Sequence, residues 1–279
     1  MPPVPARILI VCLTWLSTWT VVTRVIVPNR SSRMRMVASL LDGSLEAPYQ
    51  YRVLKHWLAM GLDPLLRLGV EAPEVRHVLA YGLLTAVTCL GIYTLLYRYL
   101  ERWVGGPGAL LGLLWLAASL PLSLTGFMME GDLLTLLAYL IVLELLCSRR
   151  GVWVPLVVGL FALNREQILW AVSWQALWGW SQGALTSQKD RTRLGLEVLG
   201  SLLAWSAVQG GLRLLYGVKE NPLPWPCTWS TTRILEPCCC RFCRCGGRWC
   251  WVWCCWPGAR GGREPALSAA CCCWWGPMP

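Results

Sequence analysis

The chain has 279 residues, of which 56% are apolar and only 14% charged; ordinary soluble domains carry about 25% charged residues, so a water-soluble globular fold is excluded. The net charge is +10, from 25 Lys and Arg against 15 Asp and Glu. No basic helix or aromatic-interleaved module exists to present that charge to nucleic acid, so the arginines belong to helix flanks and anionic membrane head groups.

Residues 8–27 form the first apolar run, broken by one charge, Arg24. At about 1.5 Å rise per residue it reaches about 30 Å, the thickness of a hydrocarbon core. Arg7 precedes it as in a signal peptide, but Val25-Ile26-Val27-Pro28 stands where a small-residue cleavage site belongs, so the run is a retained span. Residues 28–77 are a polar outer loop, within which 53–70 mixes Leu58, Leu62, Leu65 and Leu66 with Lys55, Asp63 and Arg67. That mixture predicts an amphipathic helix lying on the membrane surface. Further apolar segments cover 78–97, 108–127, 133–147, 152–163, 168–180 and 196–216. The fold class that follows is all-α, a polytopic integral membrane helical bundle with about seven membrane segments within residues 1–226.

Basic residues set the orientation. Arg98, Arg102, Arg149, Arg150, Lys189, Arg191 and Arg193 all fall on the cytoplasmic side of a cell membrane if the N-terminus is cytoplasmic. Segments 152–163 and 168–180 are each too short to cross, so they form a re-entrant or tightly turned pair with Asn164-Arg165-Glu166 near the outer surface. The loop at 28–77 resists this scheme, because it is placed outside yet has an excess of basic residues.

Residues 227–279 break with everything before them. They hold 12 of the 15 cysteines, seven tryptophans and six arginines, with no Lys, Asp, Asn, Gln, His or Tyr. Cys240-x-x-Cys243 has metal-ligand spacing, but runs such as Cys238-Cys239-Cys240 cannot converge on one ion. Repeated leucine codons CTG, read one base late, become TGC, cysteine, and leucine before a G-starting codon becomes TGG, tryptophan. The tail is therefore expected to be a frameshift product of a leucine-rich membrane segment, disordered, with the frame lost near Cys227.

Four polar groups interrupt the apolar background: Asp42 to Glu46 with Pro48-Tyr49-Gln50-Tyr51-Arg52 following, Glu130-Gly131-Asp132, Asn164-Arg165-Glu166, and Glu144. Intramembrane ionisable groups cost about 2.5–3.5 kcal/mol at mid-span and so tend to pair around cavities. Glu144 lies near a helix end, where it would snorkel or pair with Arg149. Asp42, Glu46, Asp132, Arg165 and Glu166 all map to the outer side. A carboxylate there suits a general base on an acceptor hydroxyl, and arginines suit the phosphate of a lipid donor. Taken singly, each carboxylate has a plainer explanation: a solvated loop at 42–46, or a helix N-terminal acid at Asp132. The stripe Trp170, Trp174, Trp178 reads as lipid-facing or packing. His56 and His77 stand in no ligand spacing, no metal site is expected in this part of the chain, and no phosphate loop or nucleophile elbow occurs.

The first span, the outer segment with Asp42 and Pro48-Tyr49-Gln50-Tyr51-Arg52-Val53-Leu54, the acidic helix start at Asp132 and Asn164-Arg165-Glu166 between short apolar segments together resemble bacterial multi-span membrane proteins of the C-type glycosyltransferase superfamily. The resemblance covers residues 8–216. It implies a polyprenyl-phosphate-linked sugar donor, transfer on the extracytoplasmic side, Asp42 as base with Glu46 as fallback, and substrate contacts from Tyr51, Arg52, Asp132, Asn164, Arg165 and Glu166. The chain departs from that pattern in lacking an adjacent acidic pair in the first loop. It also shows fewer spans, which makes an inactive fragment the expectation if the missing ones lie in the altered tail. Partners on this reading are membrane lipids and the lipid-linked sugar; the cofactor, if any, is left open. Two rival classes stay open: a transporter, with 152–180 as a discontinuous helix at its substrate site, and a non-enzymatic membrane scaffold.

Overall fold

The architecture comes from a computed structural model, which describes residues 3–45, 49–124, 131–183 and 187–217, together with the backbone of 243–245 and 248–250. The chain divides into two compact units, Met1–Leu223 and Pro224–Pro279. In the second unit the described backbone is one antiparallel pair, β1 (Cys243–Cys245) and β2 (Arg248–Cys250), with Cys243 opposite Cys250. The frameshift, disorder and metal-ligand expectations for the tail otherwise fall outside the described residues.

The described part of the first unit is helical throughout. Helix α1 (Val4–Val21) has a proline in its first turn and runs into a wide π-type turn, Val22–Ile26. Proline is tolerated at that position because the N–H it lacks would have no intrahelical partner. Ala6, Ile10, Leu13, Ser17 and Val21 form the buried face, while Ile8, Val11, Trp15 and Trp19 point outward. A helix apolar on both faces fits a bilayer better than water.

The expected polar loop at 28–77 contains two helices. One is α2 (Arg30–Leu41), which the sequence reading missed, and the other is α3 (Leu54–Leu66). Helix α3 is shorter than the expected 53–70 and oriented against the simple surface picture. Leu54, Lys55, His56 and Ala59 are buried, whereas Leu58 and Leu65 face outward. Lys55 and His56 thus lie on the inner side, whereas Asp63 and Arg67 pair nearer the surface.

The segments expected at 78–97 and 108–127 lie in one helical stretch, α4 (Pro73–Ser123), interrupted at Gly105. There φ is +73° and ψ 174°, a conformation that only glycine adopts cheaply. A Cβ placed on Gly112 would overlap Leu100, and one on Gly106 would lie 3.9 Å from the Tyr97 hydroxyl. In a continuous helix residues 100 and 112 would be about 18 Å apart, so the stretch doubles back at Gly105 into two legs.

Helix α5 (Gly131–Cys147) is central. Leu133 and Leu140 join the cluster shared with α1 and α4, and Leu134, Ala138, Val142 and Leu146 join a second cluster with α6 (Val154–Ala162) and α7 (Trp170–Ser181). Near its end Glu144 accepts from Arg102 at 2.7 Å and lies 3.3 Å from Arg98, both on the first leg of α4. Arg149, the partner expected from sequence proximity, instead takes a positive φ of 56° at the end of α5. Helix α8 (Gln188–Tyr216) closes the described unit.

Among the described residues three helices are, by length and composition, apolar enough to cross a membrane: Val4–Ile26, Pro73–Leu120 and Gln188–Tyr216. That is fewer than the seven segments expected. Helices α6 and α7, of 9 and 12 residues, rise only about 14 and 18 Å, as their short apolar runs required. Trp170 and Trp174 lie on the outer side of α7, with Trp174 against Tyr139 at 4.9 Å between ring centres.

Candidate functional site

Helix α6 stops at Ala162, and Arg165 is fully extended (φ −154°, ψ 139°) before the 3-10 turn Glu166–Leu169 leads into α7. A break of this kind exposes carbonyl groups that the apolar surroundings cannot solvate. Four of them are met by donors from other elements. Gln209 Nε2 donates to Ala162 O (2.7 Å), Leu54 N to Leu163 O (3.1 Å), Trp205 Nε1 to Glu166 O (2.9 Å) and Tyr139 Oη to Gln167 O (2.7 Å). Asn164, 2% exposed, turns its Nδ2 to Gly131 O (2.7 Å) and Thr135 Oγ1 (2.9 Å), tying the break to the first turn of α5.

This anchoring fixes a polar cleft lined by Met36, Tyr49, Arg52, Lys55, His56, Gly131, Asn164 and Arg165, with a volume of ≈ 30 Å³. That is room for about one or two waters, so a bulkier group would enter by part of its structure. Among the described residues three cations line the cleft and no carboxylate does. The acids stand behind them. Asp132 Oδ1 is 2.8 Å from Arg165 Nη2, and Glu166 Oε1 is 3.9 Å from Arg52 Nη2. Arg52 also lies over the Tyr49 ring at 5.3 Å, a cation–π contact that holds the guanidinium in place. Burial, and then the neighbouring Arg52 charge, push the Arg165 pKa below its ordinary value. The field at the cleft is therefore one that an added anion would relieve.

Beneath the cleft, Tyr81 gathers a second layer. His56 Nδ1 and Tyr81 Oη are 2.6 Å apart, Arg33 lies over the Tyr81 ring at 4.6 Å, Lys55 at 5.3 Å, and the His77 ring centre is 4.7 Å away. Burial lowers the His56 pKa from 6.5 to about 3, helped by the charges of Lys55, Arg33 and His77. His56 is neutral at neutral pH.

The structure brings Arg52, Asp132, Asn164, Arg165 and Glu166 together. It leaves Tyr51 aside: its hydroxyl donates to Gly217 O (2.9 Å), and Arg213 lies over its ring at 5.5 Å. Asp42 is exposed at the C-terminal end of α2, before Gly43 at φ +67°, and is not among the lining residues. Glu46 and Glu130 lie outside the described residues. Lys55 and His56 were passed over as the polar edge of a surface helix and an isolated histidine. The signal for them was their closeness to Arg52, which stands just before α3, on whose first turn Lys55 and His56 lie. Among the described residues no group of three His, Cys, Asp or Glu side chains is placed to hold a metal ion.

No family model, curated protein or solved structure matches the chain. The cleft must be interpreted on its own chemistry.

Proposed function

We propose that the chain is a multi-pass membrane glycosyltransferase whose cleft holds the phosphate of a polyprenyl-phosphate-linked sugar donor. The observation that carries this reading is the convergence of Arg52, Lys55 and Arg165 on a small cavity that no carboxylate lines among the described residues. Planar guanidinium groups match phosphate oxygens in pairs, and the low-dielectric surroundings strengthen the attraction. About seven membrane segments, with the N-terminus cytoplasmic and α6 and α7 as a re-entrant pair, put the cleft at the extracytoplasmic surface, where such donors present their sugars. The acceptor hydroxyl then has two carboxylates near the arginines, Asp132 and Glu166, and a third, Asp42, favoured by the family resemblance. The base removes the hydroxyl proton, the acceptor oxygen bonds to the anomeric carbon, and the lipid phosphate leaves onto the arginines.

The test is transfer of radiolabelled sugar from a polyprenyl-phosphate donor by the full-length chain. Arg165→Gln is expected to raise the donor KM by roughly tenfold or more, as loss of a charge-assisted contact does. One of Asp42→Asn, Asp132→Asn and Glu166→Gln is expected to lower kcat with KM preserved. Absence of transfer by the wild type, with the frame after Pro226 restored, overturns the proposal.

A transporter is the second reading, favoured by the discontinuous α6–α7 segment, four of whose carbonyls are capped by other helices. Arg165-dependent accumulation of an organic phosphate in vesicles, without any glycosylated product, would decide for it.

A further inference from the structure

A second cavity, ≈ 320 Å³, opens at the other end of α5, bounded by Arg149, Gln175, Trp178, Gln182, Asp190 and Glu197 among others. Along the 17 residues of α5 it lies about 25 Å from Asp132, so it is separate from the cleft at Asn164. Its size falls within the usual range for small-ligand sites.

Its walls are built rather than incidental. Gln175, 1% exposed, accepts from Ser201 Oγ (2.8 Å) and donates to Gly151 O (3.4 Å), joining α7, α8 and the turn after α5. Glu197 is engaged by Arg193 at 3.0 Å. Arg149 and Asp190 are different. Both are exposed, both line the cavity, and neither makes an ion pair or side-chain hydrogen bond within the described residues. An arginine and an aspartate facing one cavity without meeting leave a slot for a ligand carrying both charges. Arg149 is the left-handed residue that ends α5, at φ 56°, with Arg150 N donating to Leu145 O (2.8 Å), and this fixes its place at the cavity rim.

The surroundings identify the kind of ligand. Lys189, Arg191 and Arg193 open α8, and Trp153 and Trp180 are exposed at the same end, the basic and aromatic collar of a membrane head-group layer. A neighbouring groove shares Arg193 and Glu197 with the cavity and continues over Val152 and Leu196, both largely exposed. A polar slot that leads into an apolar groove fits a molecule with a charged head and a hydrocarbon tail.

We propose that this cavity binds the head group of a zwitterionic phospholipid with a primary ammonium, of the phosphatidylethanolamine type: phosphate on Arg149, ammonium on Asp190, and an acyl chain along Val152 and Leu196. The proposal rests on the membrane reading but not on sugar transfer.

The experiment reconstitutes the full-length chain in nanodiscs of mixed phosphatidylethanolamine, phosphatidylcholine and phosphatidylglycerol. The lipids retained after detergent extraction are counted by mass spectrometry. Wild type is expected to favour phosphatidylethanolamine over each of the others roughly tenfold, the scale of one charge-assisted hydrogen bond. Asp190→Asn is expected to bring that ratio near one, and Arg149→Gln to reduce retention of all three. Arg165→Gln is expected to leave the ratio unchanged even if it abolishes transfer. Soluble glycerophosphoethanolamine added to the wild type is expected to displace the retained lipid, which needs no variant to fold. Equal retention of the three lipids by the wild type, preference for phosphatidylglycerol, or an unaltered ratio in Asp190→Asn overturns the proposal.

Discussion

His56 shows how far a single side chain's meaning depends on what surrounds it. In sequence it is a lone histidine; in the fold it is buried beside Lys55 and Arg33, with Nδ1 against Tyr81 Oη and the His77 ring facing the same tyrosine. Its folded pKa, about 3, lies below the ordinary 6.5. The unfolded chain therefore binds more protons across that interval, and the His56 contribution to stability is complete above pH 6.5 and declines as pH falls toward 3. Asp63, held below its usual 3.8 by Arg76 and Arg67, loses its contribution only as pH drops under that value. Between pH 7 and pH 5 the two effects are separable. The wild type is expected to lose thermal stability across this window, and His56→Gln, which has no proton to take up, is expected to show a flatter profile. A pH dependence identical in the two proteins, measured by helical circular dichroism in detergent, would remove His56 as its source.

Among the elements, the contact between α4 and α5 is made specific by charge. Glu144, 16% exposed at its side chain, reaches both Arg98 and Arg102, whereas leucines and alanines elsewhere along these helices pack without direction. Glu144 is mostly buried and both arginines are exposed, so removing the carboxylate leaves two neighbouring cations without their counter-charge. Glu144→Gln is expected to cost about 1–3 kcal/mol in chemical denaturation, and the added change Arg102→Gln to cost less than it does alone. Additive losses would mean that the pair does not couple. Sequence proximity pointed to Arg149 because only the helix of Glu144 was in view; the arginines that pair with it arrive from a leg that doubles back at Gly105. The same limit explains the rest of the site. Helix breaks, the acidic start of α5 and the role of Asn164-Arg165-Glu166 as a polar insertion were legible, since each is local. Helix α2, the inward turn of Lys55 and His56, and the withdrawal of Tyr51 toward Gly217 were not, because each depends on a partner far along the chain.

At the scale of the whole molecule, the decisive quantity is which side of a bilayer each end of α8 faces. Its 29 residues, Gln188–Tyr216, reach about 43 Å, more than a hydrocarbon core, and they begin with Lys189, Arg191 and Arg193 and turn apolar from Leu194 onward. The excess of basic residues at that end favours the cytoplasm. The chain has three lysines, Lys55, Lys189 and Lys219, of which Lys55 is buried and Lys189 exposed. Lys219 follows α8 directly in sequence. A membrane-impermeant amine reagent applied to intact spheroplasts is therefore expected to modify Lys219 and spare Lys189, with Lys189 reacting only after permeabilisation. The reverse pattern would turn α8 over and carry α5 with it, since Glu166 O accepts from Trp205 on α8 while Asn164 holds Gly131. The cleft of Arg52, Lys55 and Arg165 would then face the cytoplasm, and a donor presenting its sugar outside could not reach it. Modification of both lysines from outside is equally informative, because a helix with both ends on one face does not cross.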